Sequence, residues 1–300
     1  YSVAMVGCAS VLGQLIPPSV PMILYAWVTQ QSVAACFLAT VIPGILTTIL
    51  MCIVNWFEVK RMGTVQVEPQ IPLSQKVQVI GRATKHGIWS LLMPVIILGG
   101  IYGGITTPTE SAAIAVFYAI VVGFLIHKEL TPRILGQALV NSSTTTGVCV
   151  LMLFFVSILA KVYTMQRIPQ QLAEFMMTIS NNRIVLLLLV NAFLIIIGMM
   201  MDDFSGTMLS APLLLPLMVT IGVHPVHFAA IMGTNLGLGN VTPPCAPILF
   251  LAGRIGGASV DEYFRPALKF MIFAQVPVII LTTYIPGLSM WLPRLIMGVQ

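Results

Sequence analysis

Two pairs of adjacent prolines, Pro17-Pro18 and Pro243-Pro244, have the type and spacing to do chemistry in this chain. Each pair follows a glycine four residues earlier, Gly13 or Gly239, and precedes a third proline, Pro21 or Pro247; in the second stretch Gly237, Gly239, Pro243, Pro244 and Pro247 are expected to interrupt the helix. Proline lacks an N–H, and its ring clashes with an upstream carbonyl, so inside an apolar helix it frees carbonyl oxygens. A free backbone group is costly in lipid unless protein covers it or it lines a cavity. Freed carbonyls at broken membrane helices are hard ligands suited to a monovalent cation such as sodium. The candidates are Gly13, Ile16 and Pro18 in one place, and Gly239, Thr242 and Cys245 in the other, where Thr242 adds a hydroxyl.

A second group surrounds Ser205-Gly206-Thr207, which is expected to interrupt a helix just after Asp202 and Asp203. Half-helix N-termini there would turn positive dipole ends toward an anion. Ser205, Thr207 and Asn235, with Ser19 from the first break, are the candidates for substrate contact. The bland reading is a patch of small residues that lets helices approach closely. Asp202 either gates the site or marks the membrane boundary. Thr107-Pro108-Thr109-Glu110 reads first as a capping box, with Glu110 reaching back to the Thr107 N–H. Its functional alternative is a role for Thr107 and Glu110 in ion or substrate passage. His224-Pro225-Val226-His227 reads as a turn, and its spacing is weak evidence for a metal.

The two proline pairs belong to an internal repeat. At an offset of 226 residues, Gly7, Leu12, Gly13, Pro17, Pro18, Pro21 and Ala26 fall on Gly233, Leu238, Gly239, Pro243, Pro244, Pro247 and Ala252. Pro94-Val-Ile-Ile-Leu98 recurs as Pro277-Val-Ile-Ile-Leu281. Interrupted helices at matching positions of two halves point to a transporter's binding site. Residues 1–104 are read as part of a first repeat whose N-terminal portion is missing, and 105–300 as the second, with 201–252 its binding region. The count of crossings between the breaks favours inverted units.

Positioning these elements is the task of a membrane bundle. Hydrophobic residues make up 58% of the chain and charged ones 8%, and the mean hydropathy is +0.99; a soluble domain carries roughly 25% charge. No strand-like alternation is visible, so the expected fold is an all-α polytopic bundle. At roughly 20 residues per span, the length allows about eight or nine crossings. Spans are expected over 33–57, 88–104, 111–126, 134–159, 184–201 and 270–292. The basic excess in 58–86 and 127–133 places both stretches on the cytoplasmic side. Residues 58–87 hold a linker and an interfacial helix, and 169–177 read as a second interfacial helix.

Several functions are excluded or disfavoured. There is no Walker A sequence, no HExxH and no nucleophile elbow, which leaves a secondary, non-enzymatic process. The five cysteines lack CxxC spacing and read as reduced thiols.

With these residues in hand, the chain resembles the large membrane subunit of TRAP transporters (tripartite ATP-independent periplasmic transporters, the DctM-like or SiaM-like family). The resemblance rests on GQLIPPSVPMILYA, GGITTPTESAAIAVFYA, MDDFSG and GNVTPPCAPILFLA, in order along essentially the whole chain. It implies an ion-transporter-type fold with inverted repeats and an elevator-like transport domain. It also implies sodium-driven import of dicarboxylates or sialic acid across the bacterial inner membrane. The partners implied are a periplasmic binding protein and a small four-helix membrane subunit. Carried over by motif, Gly13, Ile16 and Pro18 belong to one sodium site, and Gly206, Gly239, Thr242 and Cys245 to the other. A serine-glycine-serine element expected before the first proline pair is missing here, which leaves that site incomplete. A stand-alone carrier of the same fold and a non-transporting scaffold subunit are the alternatives.

Overall fold

The computed structural model describes residues 1–63, 72–180 and 182–298, and no strand occurs among them. Residues 64–71 of the expected linker lie outside the described residues. The chain is an all-α polytopic membrane protein. Among the described residues six helical runs are long and apolar enough to cross a bilayer, or seven if the bent pair Val77–Thr84 and Gly87–Tyr102 counts as one span. This is fewer than length alone suggests, because much of the apolar sequence goes into short helices beside breaks.

The chain divides into two compact units, Tyr1–Arg61 with Val150–Gln300, and Met62–Cys149. In the first unit α1 (Ser2–Ala9), α2 (Leu12–Leu15) and α3 (Val20–Thr29) precede the long α4 (Val33–Met62). Pro43 lies inside α4 without ending it. The second unit holds α5 (Leu73–Tyr102), α6 (Pro108–Val121), a π-helical turn Val122–Ile126 and the start of α7 (Pro132–Met165). Segments Val77–Thr84 and Gly87–Tyr102 of α5 meet at 64°. Back in the first unit follow α8 (Ile168–Ile179), α9 (Arg183–Met200), α10 (Asp203–Thr220), α11 (Pro225–Val241) and α12 (Pro247–Gly256). The chain closes with α13 (Val260–Phe270), a π-helical turn Met271–Gln275, α14 (Val276–Tyr284) and α15 (Pro286–Met297).

Helix α11 is the axis of the first unit. Every residue from Val226 to Val241 is buried, as expected of a helix that is apolar all round. Helices α9, α10, α3, α14 and α15 pack on it. Its glycines and Asn235 do not break it; they sit where neighbours approach. A methyl group on Gly239 would stand 2.5 Å from Gly198 Cα of α9, and one on Gly233 would stand 3.1 Å from Met22 Cε of α3. Small residues at such crossings let backbones close without lost packing.

Three expectations need correction. Ser205-Gly206-Thr207 does not interrupt a helix: the three residues lie in the first turns of α10. The break falls earlier, at Met201-Asp202, where Asp202 Oδ2 accepts the Phe204 N–H at 3.1 Å and caps the helix. In the second break, Gly237 and Gly239 remain helical, and the interruption covers only residues 242–246. The span expected over 270–292 is instead the end of a longer run, Val260–Tyr284, which stops at Ile285 before Pro286.

Candidate functional site

The internal repeat is structural as well as sequential. At the offset of 226, α3 (Val20–Thr29) falls within one residue of α12 (Pro247–Gly256), and the end of α2 at Leu15 falls on the end of α11 at Val241. Residues 16–19 and 242–246 are the matching non-helical links, and Pro17-Pro18 and Pro243-Pro244 are both cis. In an α-helix the carbonyls of Gly13 and Gln14 would accept from residues 17 and 18, and those of Gly239 and Asn240 from residues 243 and 244. All four of these positions are prolines without an N–H. The local solutions then differ. Ile16 N–H donates to the Leu12 carbonyl at 2.8 Å, whereas Thr242 N–H turns back to the Gly239 carbonyl at 2.9 Å. The Thr242 hydroxyl donates to the Leu238 carbonyl at 2.6 Å, which leaves its oxygen lone pairs open. A carbonyl oxygen has two lone pairs, so Gly239 retains accepting capacity.

Helix α2, which ends at the first break, packs on α11, which ends at the second. A Cβ at Gly237 would stand 2.5 Å from Val11 Cγ1 and 3.2 Å from Gln14 Oε1. Val11 and Gly237 are themselves repeat equivalents, so the two copies cross at matching positions. The start of α10 closes the third side. The Asp203 carboxyl lies beside the Gln14 side chain, and a Cβ at Gly206 would stand 3.3 Å from Leu236 of α11.

This junction concentrates polar atoms that find no partner. Among the described residues, the buried side-chain atoms without a hydrogen bond include Gln14 Nε2, Ser19 Oγ, Asp203 Oδ1, Thr207 Oγ1, Ser210 Oγ and both polar atoms of Asn240. Buried polar groups ordinarily bond, because leaving one unmade costs about 1–3 kcal/mol. Gln14, Ser19 and Asn240 flank the two proline links and Asp203 starts α10, whereas Thr207 and Ser210 lie further along α10; open polar atoms beside a helix break are what a polar ligand or ion path requires. The sequence reading does not single out Gln14, Asn240 or Ser210. The repeat carried the signal, since Gln14 and Asn240 are equivalents, each next to the glycine of its break.

Other expected site residues lie as follows. Pro18, Ile16 and Cys245 are exposed at their links, and Gly13 is exposed in α2. Ser19 is buried before α3, and Ser205 is half-buried in the first turn of α10. Asn235 sits in an interface of α9, α11 and α14, where its Nδ2 donates to Asn191 Oδ1 at 3.0 Å and to the Ile231 carbonyl at 2.7 Å. Asn191 Nδ2 in turn reaches Thr283 Oγ1 at 3.0 Å. Asn235 Oδ1 alone in this group stays open. His224 caps α11 through the Val226 N–H, and His227 Nε2 bonds the Thr282 carbonyl at 2.8 Å. Thr107 and Glu110 belong to the second unit and form the capping box of α6: the Thr107 N–H donates to Glu110 Oε2 at 2.7 Å, and the Glu110 N–H donates to Thr107 Oγ1 at 3.3 Å.

Comparison with known proteins agrees with this geometry. The family model described as the DctM component of tripartite ATP-independent periplasmic transporters matches residues 1–288. The chain is 34% identical over 292 residues to the isethionate TRAP transporter permease protein DctMQ of Oleidesulfovibrio alaskensis, covering 97% of this chain and 45% of that protein. It is 32% identical over 298 residues to the sialic acid TRAP transporter large permease protein SiaM of Vibrio cholerae, covering 99% of this chain and 68% of the relative. With the C4-dicarboxylate TRAP transporter large permease protein DctM of Pseudomonas aeruginosa, identity is 32% over 294 residues, covering 98% and 67%. The chain thus spans between 45% and 68% of these relatives' lengths.

Proposed function

The chain belongs to the DctM family of tripartite ATP-independent periplasmic transporters, and on that premise we propose that it carries the transport site of a sodium-coupled importer of organic acids. The observation that carries this reading is the pair of repeat-related cis-proline breaks, whose prolines free upstream carbonyls and whose flanks, at Gln14, Ser19 and Asn240, carry unpartnered buried polar atoms. Carbonyls around Gly13, Ile16 and Pro18, and around Gly206, Gly239, Thr242 and Cys245, hold sodium. Ser19, Ser205, Thr207 and the open oxygen of Asn235 face the solute. Sodium at the breaks favours the state in which the site accepts an anion; only such differential affinity can couple the two gradients. The membrane potential adds about 2.3 kcal/mol per elementary charge per 100 mV.

The relatives are named for transport of a sulfonate, a sialic acid and C4-dicarboxylates, so the solute class is a small organic acid. We assign the protein to the bacterial inner membrane, with inverted repeats, an elevator-like transport domain, a small four-helix membrane subunit and a periplasmic binding protein that delivers the solute. No enzymatic step is part of this reading.

The test is uptake into proteoliposomes containing the complete subunit and its small partner, with the binding protein added or omitted. The reading expects uptake of an organic acid only with the binding protein and an inward sodium gradient. Uptake without the binding protein identifies a stand-alone carrier. No uptake of any organic acid, from a folded complex, leaves the scaffold role.

A further inference from the structure

We propose that the cavity between the ends of α3 and α7 and the flank of α10 holds the headgroup of an aminophospholipid. Its phosphate rests on Lys161, and its ammonium lies against Trp27 and the hydroxyls of Ser157 and Thr164. Such a site requires only a chain in a bilayer, so it stands apart from the transport reading. The cavity lies within the first unit and measures about 330 Å³, with Met208 and Pro212 of α10 on its apolar side. That volume is within the roughly 300–1,000 Å³ of small-ligand pockets.

The cavity sits where helices leave the hydrocarbon. Helix α7 ends at Met165, four residues or about 6 Å beyond Lys161 at the helical rise. Helix α3 ends at Thr29, two residues beyond Trp27. Trp27 is 60% exposed, and a tryptophan and a lysine near the ends of apolar helices are the usual anchors at the membrane–water interface. The amphipathic α8 follows directly, as a helix lying in the interface plane would. Ile158 and Val162 of α7 are exposed apolar neighbours, along which an acyl chain can leave the cavity.

Donors and acceptors in the lining select a zwitterion. Lys161 is the only charged residue that lines the cavity, and among the described residues no acid pairs with it. Its ammonium has three N–H donors for a phosphate. The remaining polar groups have the opposite preference. Ser157 Oγ donates to the Leu153 carbonyl at 2.6 Å, Thr164 Oγ1 to the Ala160 carbonyl at 2.9 Å, and Gln30 Nε2 to the Trp27 carbonyl at 2.8 Å. With those hydrogens used, Ser157 Oγ, Thr164 Oγ1 and Gln30 Oε1 offer lone pairs to a ligand that donates. The Trp27 ring adds a π face, which attracts a cation. Phosphoethanolamine carries an anion and an N–H-bearing cation on one short link and satisfies both sets. A choline headgroup has no N–H to give, and a purely anionic headgroup leaves the Trp27 face unused.

The experiment returns defined lipids to the complete subunit and its small partner, purified and stripped of lipid, and counts bound molecules by native mass spectrometry. The lipids are phosphatidylethanolamine, its N-methyl and N,N-dimethyl derivatives, phosphatidylcholine and phosphatidylglycerol with the same acyl chains, and chain-free glycerophosphoethanolamine. Phosphatidylethanolamine is expected to bind tightest, with affinity falling as N–H groups are lost. Lys161→Met is expected to weaken it about tenfold and Trp27→Leu about threefold, while Lys161→Arg retains it. Lys128→Met, at a basic position that does not line the cavity, is the control and leaves binding unchanged. Equal binding of phosphatidylethanolamine and phosphatidylcholine overturns the proposal, as do Lys161→Met and Trp27→Leu variants that bind like wild type. A loss in Lys128→Met equal to that in Lys161→Met shows a general surface-charge effect and also overturns it. Equal affinity for glycerophosphoethanolamine assigns the cavity to a soluble zwitterion and overturns the lipid. A folded complex that binds no phosphatidylethanolamine overturns it as well.

Discussion

Gly198 of α9 and Gly239 of α11 meet backbone to backbone: a methyl group on Gly239 would lie 2.5 Å from both the Cα and the carbonyl carbon of Gly198. This contact fixes the end of the axial helix where the second break begins. Gly239→Ala therefore has to push two helices apart, at about 1–3 kcal/mol for overpacking a tight interface. The expected result is a lower melting temperature together with a higher half-saturating sodium concentration, because the displaced backbone carries the candidate ligands. Gly136→Ala, on α7 with nothing within 4 Å of the new methyl, is the control and should leave both values unchanged.

Asn191, Asn235 and Thr283 tie α9, α11 and α14 together within the apolar interior. Asn191→Leu strands the Thr283 hydroxyl, at about 1–3 kcal/mol for a buried group left unpaired, and takes one of two acceptors from the Asn235 amide, which keeps the Ile231 carbonyl. A double-mutant cycle between Asn191 and Asn235, read by thermal unfolding, should return a coupling of about 1 kcal/mol. Additive effects would show that the hydrogen bond contributes nothing to stability.

Glu58 near the end of α4 pairs with Lys269 of α13 and with Arg61 at 3.5 Å. The Glu58 side chain is 9% exposed and that of Lys269 is 44% exposed, so the two partners are unequal. Lys269→Met leaves a buried carboxylate with only the exposed Arg61, whereas Glu58→Gln leaves a lysine free to find solvent. Lys269→Met should thus lower thermal stability more than Glu58→Gln, and the double variant should recover part of the loss. Equal effects of the two single variants would contradict this asymmetry.

Glu110 and Thr107 each satisfy the other's backbone N–H at the start of α6. Thr107→Ala should cost about 1 kcal/mol of stability, the usual worth of an N-cap. Glu110→Gln keeps an acceptor for the Thr107 N–H and should leave uptake at the wild-type rate. A loss of uptake at unchanged melting temperature would instead assign Glu110 to the ion or solute path.

The repeat was the most legible part of the fold, because proline and glycine fix backbone behaviour locally. Pro17, Pro18, Pro243 and Pro244 end their helices within one or two residues of where the sequence puts the breaks. Glycine misled where tertiary packing decides. Gly206, Gly237 and Gly239 read as interruptions, yet they stay helical because Leu236, Val11 and Gly198 occupy the space a side chain would take. Asp202 settled the start of α10 by capping, through the Phe204 N–H it accepts. The site was legible as a pair of breaks. Its buried amides were not, because nothing in the residue types of Gln14 or Asn240 shows that both side chains are buried beside their breaks.

The central claim, that the proline breaks bind sodium, is tested most directly by melting the purified complete subunit in rising sodium chloride against potassium or choline chloride at matched ionic strength. Binding to the folded state alone raises the melting temperature with ligand concentration. The account predicts a sodium-specific, saturable rise, shifted to higher concentration by Thr242→Ala. Identical curves in sodium, potassium and choline would contradict it.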